Sequence, residues 1–90
     1  MGQQMTDKRS VRAALRHAVN NEDEIKASEE CGCFHCLEVF AKDEIEEWVD
    51  GEDGMSAVCP KCSVESVIGD AAGFPLTEAF LDAMRHEMFV

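Results

Sequence analysis

Apolar residues in the first third of the chain recur at the spacing of a helix. These residues are Val11, Ala14, Leu15, Ala18 and Val19. The pattern predicts an N-terminal amphipathic helix over residues 6–27, capped by Thr6 and preceded by a disordered tail over residues 1–5. Asn20 and Asn21 could weaken or end this helix, or the helix could run on through them.

The middle of the chain alternates between short strand patterns and turns. Residues 29–40 predict a strand, a turn and a second strand, and further strands are predicted at residues 55–58 and around 66–68. Apolar residues at positions i, i+3 and i+4 predict a short middle helix over residues 42–49. These are Ile45, Trp48 and Val49. An acidic loop with two glycines, residues 50–54, follows that helix.

The last part of the chain predicts a C-terminal helix that Thr77 caps. Its expected buried stripe is Phe80, Leu81, Met84 and Met88. We therefore predict an α+β fold, with short antiparallel strands and a middle helix between N- and C-terminal helices. Residues 28–90 would form a zinc-binding domain, to which the N-terminal helix is attached.

The length of the chain makes an additional source of stability plausible. Ninety residues, 46% of them hydrophobic, form one small domain with a thin core. Domains of this size often need a disulfide, a metal or a partner to reach useful stability. The sequence has no apolar stretch of signal-peptide or membrane-spanning length, so we expect a cytoplasmic protein with reduced thiols and no membrane association.

Two C-x-x-C pairs are the strongest chemical signal in the sequence. Cys33 and Cys36 form the first pair, Cys59 and Cys62 form the second, and 22 residues separate the pairs. Each pair can aim two thiolates at one point, and four thiolates suit tetrahedral Zn²⁺. We predict one structural zinc ion per chain, held by these four cysteines.

Three other interpretations of the cysteines remain open at this stage. Cys31 precedes the first pair and His35 lies within it, so either could replace one of the four predicted ligands. The cysteines could also be four small buried apolar residues, although the repeated spacing argues against this. A thioredoxin-like redox pair would need only one C-x-x-C in a βαβ setting, which the pattern does not predict.

Four short stretches resemble a family of small uncharacterised bacterial cytoplasmic proteins. They are Cys-Gly-Cys-Phe-His-Cys-Leu at 31–37, Glu-Ile-x-x-Trp-x-Asp at 44–50, Ala-x-Cys-Pro-x-Cys at 57–62 and Ser-Val-Ile-Gly at 66–69. The resemblance covers residues 28–89 and implies a compact zinc-finger domain without any known activity. More widely, the paired corners resemble treble-clef and zinc-ribbon modules, including the scaffold of HNH-type nucleases. Residues 37–58 contain neither the His nor the Asn that such nucleases use.

Charge is distributed unevenly along the chain. The net charge is −11, but residues 1–20 carry +3 and residues 21–90 carry −14. Lys8, Arg12 and Arg16 recur every four residues and give the first helix a cationic face. The acidic remainder would repel phosphates, so direct nucleic-acid binding is not expected.

These observations favour a non-catalytic structural-zinc protein that acts as a protein-interaction module. Its partner would be an unidentified protein that binds the acidic segment 43–53 or the cationic helix. That helix could also support a homodimer. The alternatives are a nucleic-acid-related factor, as a weak binder or an acidic mimic, and a degenerate HNH-like nuclease scaffold. No catalytic residue is predicted, because a closed sphere of four thiolates leaves no open position on the metal.

Overall fold

A computed structural model describes residues 7–89, and within them the predicted α+β class is confirmed. The helices are α1 (Lys8–Leu15), α2 (Glu22–Lys26) and α3 (Glu78–Phe89). The strands are β1 (Glu30–Cys33), β2 (Val39–Ala41), β3 (Trp48–Asp50), β4 (Met55–Ala57) and β5 (Val67–Gly69). One-turn 3₁₀ helices lie at Arg16–Ala18, Lys42–Glu44 and Asp70–Ala72. The predicted tail over residues 1–5 and the predicted cap Thr6 lie outside the described residues.

Strand β1 is the centre of an antiparallel three-stranded sheet, between β2 and β5. Cys31 lies opposite Phe40 and Gly69, and the next residue, Gly32, lies opposite Val39 and Ile68. Because side chains alternate between the two faces of a sheet, these two sets of residues face opposite sides. Strands β3 and β4 form a separate antiparallel hairpin.

One face of the sheet packs beneath α1 and α3. The buried residues of this core are Val11, Ala14, Ala18, Phe34, Ile68, Phe80, Leu81 and Met84. Gly32 lets α3 approach closely, since a Cβ atom on it would lie 3.1 Å from a methyl carbon of Leu81. The apolar stripe predicted for the first helix is therefore largely covered within the chain, although Val19 is 50% exposed.

The other face of the sheet forms a second core with the β3–β4 hairpin and α2. Its buried residues are Ile25, Cys31, Cys33, Phe40, Ile45, Ala57, Cys59 and Val67. Two of the predicted metal ligands, Cys33 and Cys59, are thus also core residues. A change at the predicted metal site would therefore also change the packing of this half of the molecule.

The N-terminal helix predicted over residues 6–27 is not continuous. It is divided into α1, a 3₁₀ turn and α2, because Val19 is extended and Asn20 adopts a left-handed conformation with φ of 52°. Asparagine tolerates this conformation better than most residues. The Asn20 amide N–H donates to the Ser56 hydroxyl at 2.8 Å, and its side-chain oxygen accepts from the Asp53 amide at 3.3 Å. The break therefore places the chain against the β3–β4 hairpin.

Asn21 joins three parts of the fold through one buried side chain. Its amide nitrogen donates to the carbonyl oxygens of His17, at 2.8 Å, and Val67, at 2.9 Å, and its oxygen accepts from the Ala57 amide at 3.1 Å. The side chain is only 3% exposed. A single carboxamide thus connects the end of the first helical segment to β4 and β5.

The middle helix predicted over residues 42–49 is wrong beyond its first turn. Only Lys42–Glu44 are helical, in a 3₁₀ turn, and Trp48–Asp50 form strand β3. Over so few residues, apolar positions three and four apart do not distinguish a helix from a turn followed by a strand. The hairpin with β4 supplies backbone hydrogen bonds to aromatic and β-branched residues that favour strands.

The C-terminal helix α3 begins where the sequence predicted. Thr77 caps it, since its hydroxyl accepts a hydrogen bond from the Phe80 amide at 3.2 Å. Phe80, Leu81 and Met84 are buried as expected, but Met88 is 53% exposed because the helix extends past the core at this point. No helix among the described residues is long and apolar enough to cross a lipid bilayer.

We expect Asn21→Ala to lower the free energy of unfolding by about 2 kcal/mol, because it leaves buried backbone groups of Ala57 and Val67 without partners. Chemical denaturation of the two proteins measures the difference. Glu52→Ala, in the exposed β3–β4 turn, is the control and should change stability by no more than about 0.5 kcal/mol. Equal stability of both variants would show that the Asn21 side chain is not a structural link.

Candidate metal centre

The structure brings together the four cysteines that the sequence predicted as ligands. The sulfur atoms of Cys33, Cys36, Cys59 and Cys62 all lie within 4.8 Å of one another. Two of the contacts join the two C-x-x-C motifs: Cys33 Sγ lies 3.6 Å from Cys62 Sγ, and Cys36 Sγ lies 3.7 Å from Cys59 Sγ. These four side chains are positioned to hold one metal ion.

The two C-x-x-C turns share one backbone conformation. The amide of Leu37 donates to the Cys33 carbonyl oxygen, and the amide of Ser63 donates to the Cys59 carbonyl oxygen, each at 2.9 Å. Leu37 and Ser63 both have positive φ, 68° and 65°. A left-handed residue therefore follows the second cysteine in both turns and reverses the chain at the same position of each motif.

Backbone N–H groups in both turns are directed at sulfur. Cys33 Sγ accepts from the amides of His35, at 3.2 Å, and Cys36, at 3.3 Å, and Cys59 Sγ accepts from the Lys61 amide at 3.3 Å. Such donors stabilise a thiolate more than a thiol, because hydrogen bonds to an ionised acceptor are the stronger ones. At Cys33 the local backbone therefore favours the deprotonated, metal-binding form.

The sheet sets the distance between the two turns. The first turn connects β1 to β2, and the second lies in the segment between β4 and β5. Cys33 lies opposite Val67 in the β1–β5 ladder, and the amide of Phe34 donates to the Ser66 carbonyl oxygen at 3.0 Å. Pairing of β1 with β5 thus holds the second turn close to the first.

Without a cation, burial works against ionisation at most of the centre. Burial raises the pKa of Cys36 to about 11, with further increases from the neighbouring Cys33 and Cys59 thiols, and it raises the pKa of Cys62 beyond that of an ordinary thiol. Burial also acts on Cys33, but hydrogen bonds from the Ser66 hydroxyl and from the amides of Cys36 and His35 outweigh it and lower its pKa. A bound cation would favour the thiolate at all four positions.

One salt bridge lies beside the second turn. Lys61 Nζ is 3.0 Å from Glu44 Oε1, which lowers the pKa of the Glu44 carboxyl and raises that of Lys61. Both side chains are largely exposed, so this pair contributes little stability by itself. It places a cation beside a centre whose four thiolates would carry a net negative charge even with a divalent ion.

The two residues that could have replaced a ligand lie apart from the cluster. Cys31 is in strand β1, fully buried in the second core, where burial and the nearby Asp70 carboxylate raise the pKa of its thiol to about 12. His35 is exposed, and its ring packs edge-to-face on Phe89 at a centroid distance of 5.2 Å. Among the described residues, neither belongs to the group that could share a metal ion.

Ser66 is the residue at this centre that sequence reasoning missed. Its hydroxyl lies 3.0 Å from Cys33 Sγ, and the side chain is fully buried. No local pattern marks this serine, because it reaches Cys33 only through the β1–β5 pairing. The one available hint is the position of Ser66, a polar residue beside a predicted strand that follows a metal-binding turn.

Comparison of the chain with protein-family models, with curated proteins and with solved structures gives no match. The resemblance to small bacterial zinc-finger proteins therefore stays a prediction.

We expect Ser66→Ala to weaken metal binding by about 10-fold or more, because groups that hydrogen-bond to a ligand typically contribute that much to affinity. Competition with a chelator of known affinity measures the change. Ser10→Ala, a hydroxyl deletion on α1 far from the cysteines in the chain, is the control and should leave the affinity unchanged. Identical affinities for the two variants would contradict a role for the Ser66 hydroxyl.

Proposed function

We propose that the four cysteines hold one Zn²⁺ and that this ion has a structural role. The observation that carries the proposal is the spacing of the sulfur atoms. A tetrahedron with Zn–S bonds of about 2.3 Å has edges of about 3.8 Å. The two closest contacts between the turns are 3.6 and 3.7 Å. An all-thiolate set also excludes ions such as Mg²⁺ and Ca²⁺, which prefer oxygen ligands.

Two features support a structural rather than a catalytic centre. Four protein thiolates complete the coordination sphere, so no position is left for a water molecule or a substrate. Cys33 and Cys59 are at most 1% exposed and form part of the second core. The residues around the ion would then contribute folding energy, because metal-binding energy is coupled to folding in small domains.

The ligand set and the structural role can be tested together. Native mass spectrometry should find one zinc ion per chain, and its removal by a chelator or by acid, which protonates the thiolates, should unfold the β-strand region. Cys59→Ser should lose the ion and have the same circular dichroism spectrum as the zinc-free protein. Cys31→Ser is the matched control and should retain the ion. A chain that stays fully folded without metal, or equal zinc loss in both variants, would refute the proposal.

We further propose that the zinc domain acts by binding another protein, and that an acidic surface supports this contact. Residues 43–53 carry seven carboxylates and no cationic side chain, and all seven carboxylate residues are exposed. Single-sign surfaces of this kind attract partners of opposite charge and speed their association. The partner segment that fits this surface is therefore a basic one.

A cavity beside the second cysteine turn is the most specific part of this surface. It encloses about 340 Å³ and is lined by Glu46, Glu47, Val58, Cys59, Pro60 and Ser63. Two exposed carboxylates at an apolar wall suit a lysine or arginine side chain, whose methylene groups pack while its charged end pairs with the carboxylates. Binding at this position would depend on the zinc centre, which fixes the turn.

The cationic face of α1 is a weaker candidate for the contact. Arg12 already pairs with Glu87, at 2.7 Å, and the apolar side of the helix is covered by α3 and the sheet. A homodimer through this helix would have to use its exposed charged face. Direct nucleic-acid binding through the same face stays unexpected, because its three cations oppose the strongly acidic remainder of the chain.

A lysine-rich peptide of about ten residues should bind the zinc-loaded protein, with an affinity that falls as salt is added. Double neutralisation at the cavity, Glu46→Gln with Glu47→Gln, should weaken binding at least 5-fold in a fluorescence titration. The control, Glu29→Gln with Glu78→Gln, removes the same charge from other exposed positions and should have a smaller effect. Equal losses in the two double variants would show non-specific attraction, and DNA of similar length should not bind.

A further inference from the structure

The metal centre has a protected side and an accessible side. Cys33 and Cys59, the first cysteine of each turn, are 0% and 1% exposed, whereas Cys36 and Cys62, the second of each turn, are partly exposed. The shared backbone conformation of the two turns produces this order twice. A reagent in solution can thus approach two of the four sulfurs without unfolding the chain.

Hydrogen bonding sets Cys33 apart from the other three sulfurs. Cys33 Sγ accepts from the Ser66 hydroxyl at 3.0 Å and from two backbone amides, and Cys59 Sγ accepts from the Lys61 amide. Donors of this kind stabilise the lone pairs of the sulfur and so make it a poorer nucleophile. The outer sulfurs have one backbone donor each, at Glu38 for Cys36 and at Val64 for Cys62, and they lie 3.7 Å and 3.6 Å from an inner sulfur.

Cys31 would ordinarily be considered the reactive thiol, because it is the cysteine that is not needed for the metal. Its position in the fold argues against this. It is fully buried in strand β1, behind Phe40 and Ile25 in the second core. A buried protonated thiol is inert, whereas a thiolate that a metal keeps deprotonated remains a nucleophile wherever solvent reaches it.

We propose that Cys36 and Cys62 are the sites at which this protein reacts with electrophiles and hydroperoxides, and that Cys31 is the unreactive cysteine. The inference rests on the partial exposure of these two residues and on the proposed zinc centre, whose coordination would hold their sulfurs as thiolates. It makes the centre a modification site as well as a structural one.

The reaction with a hydroperoxide such as H₂O₂ proceeds in two steps. An outer thiolate attacks one peroxide oxygen, so that an S–O bond forms, the O–O bond breaks and hydroxide leaves. The inner thiolate across the centre then attacks the resulting sulfenic acid, so that an S–S bond forms and a second hydroxide leaves. Two thiolates are oxidised and one peroxide is reduced to two hydroxide ions, which the solvent protonates.

The inner and outer sulfurs are close enough for the second step. Their separations of 3.6 and 3.7 Å must shorten by about 1.6 Å to reach a disulfide bond length. The product joins the two turns, as Cys33–Cys62 or Cys36–Cys59. It leaves two thiolates at the centre, and the chain can no longer supply four ligands to one ion.

The test uses the full chain with zinc bound, after native mass spectrometry has established one ion per chain. Less than one equivalent of N-ethylmaleimide is added under native conditions, and fragmentation of the digested peptides identifies the cysteine modified first. A second sample receives H₂O₂, with zinc release followed by a chromogenic chelator and the disulfide mapped in the same way. Cys31→Ala is treated in parallel.

We expect the first adduct on Cys36 or Cys62, and one zinc ion released per inter-turn disulfide. Cys31→Ala should react with both reagents at a rate within 2-fold of that of the unchanged protein. A first adduct on Cys31, or simultaneous modification of all five cysteines at the rate of global unfolding, would overturn the inference. Absence of zinc at the outset would instead refute the proposed structural zinc. The two failures are therefore distinguishable.

Discussion

The pairing of β1 with β5 is the constraint on which the rest of this fold depends. It sets Cys33 opposite Val67, brings Ser66 to the Cys33 sulfur, and holds the two cysteine turns in contact. The strands are short, and a ladder of so few residues has little stability of its own. The helices on one face supply packing that the ladder lacks, and a metal ion held by the four sulfurs at one end would add to it.

The buried apolar residues of this chain pack into two thin cores rather than one large one. Each core contains eight buried residues, and the three-stranded sheet separates them. Polar side chains then connect the parts that these cores leave apart. Asn21 bonds to the hairpin and to β5, and the Asp70 carboxylate accepts from the amides of Glu29, at 3.2 Å, and Glu30, at 3.1 Å. A few buried or bridging polar groups therefore join parts of the fold that the two apolar cores do not connect.

The features that sequence reasoning predicted are those encoded over a few neighbouring residues. The repeated C-x-x-C spacing identified four sulfurs that the structure brings together, and the periodic stripe and the capping Thr77 identified α3. The first helical stripe correctly identified Val11, Ala14 and Ala18 as buried. In each case the local pattern and the final environment agree.

The features that were missed depend on contacts between residues distant in the chain. Residues 42–49 fit a helical spacing, but their pairing with Met55–Ala57 makes part of them a strand. Asn21 could be recognised as a possible helix breaker, but not as a buried connection to Val67, 46 residues further along. Ser66 has no marker in its own neighbourhood. Tertiary context overrides local preference in such segments.

The packing of α1 on α3 has a consequence for how this protein is made. The two helices lie at opposite ends of the described residues, and their side chains share one core with Phe34 and Ile68. During synthesis, α1 emerges while α3 is still untranslated, so its apolar stripe lacks the Phe80, Leu81 and Met84 side chains of its core. A helix this short does not persist alone in water. The first core can therefore form only after translation has passed Met84. Folding is then completed late, and α1 is among the last elements to pack although it is synthesised before α2, α3 and the strands.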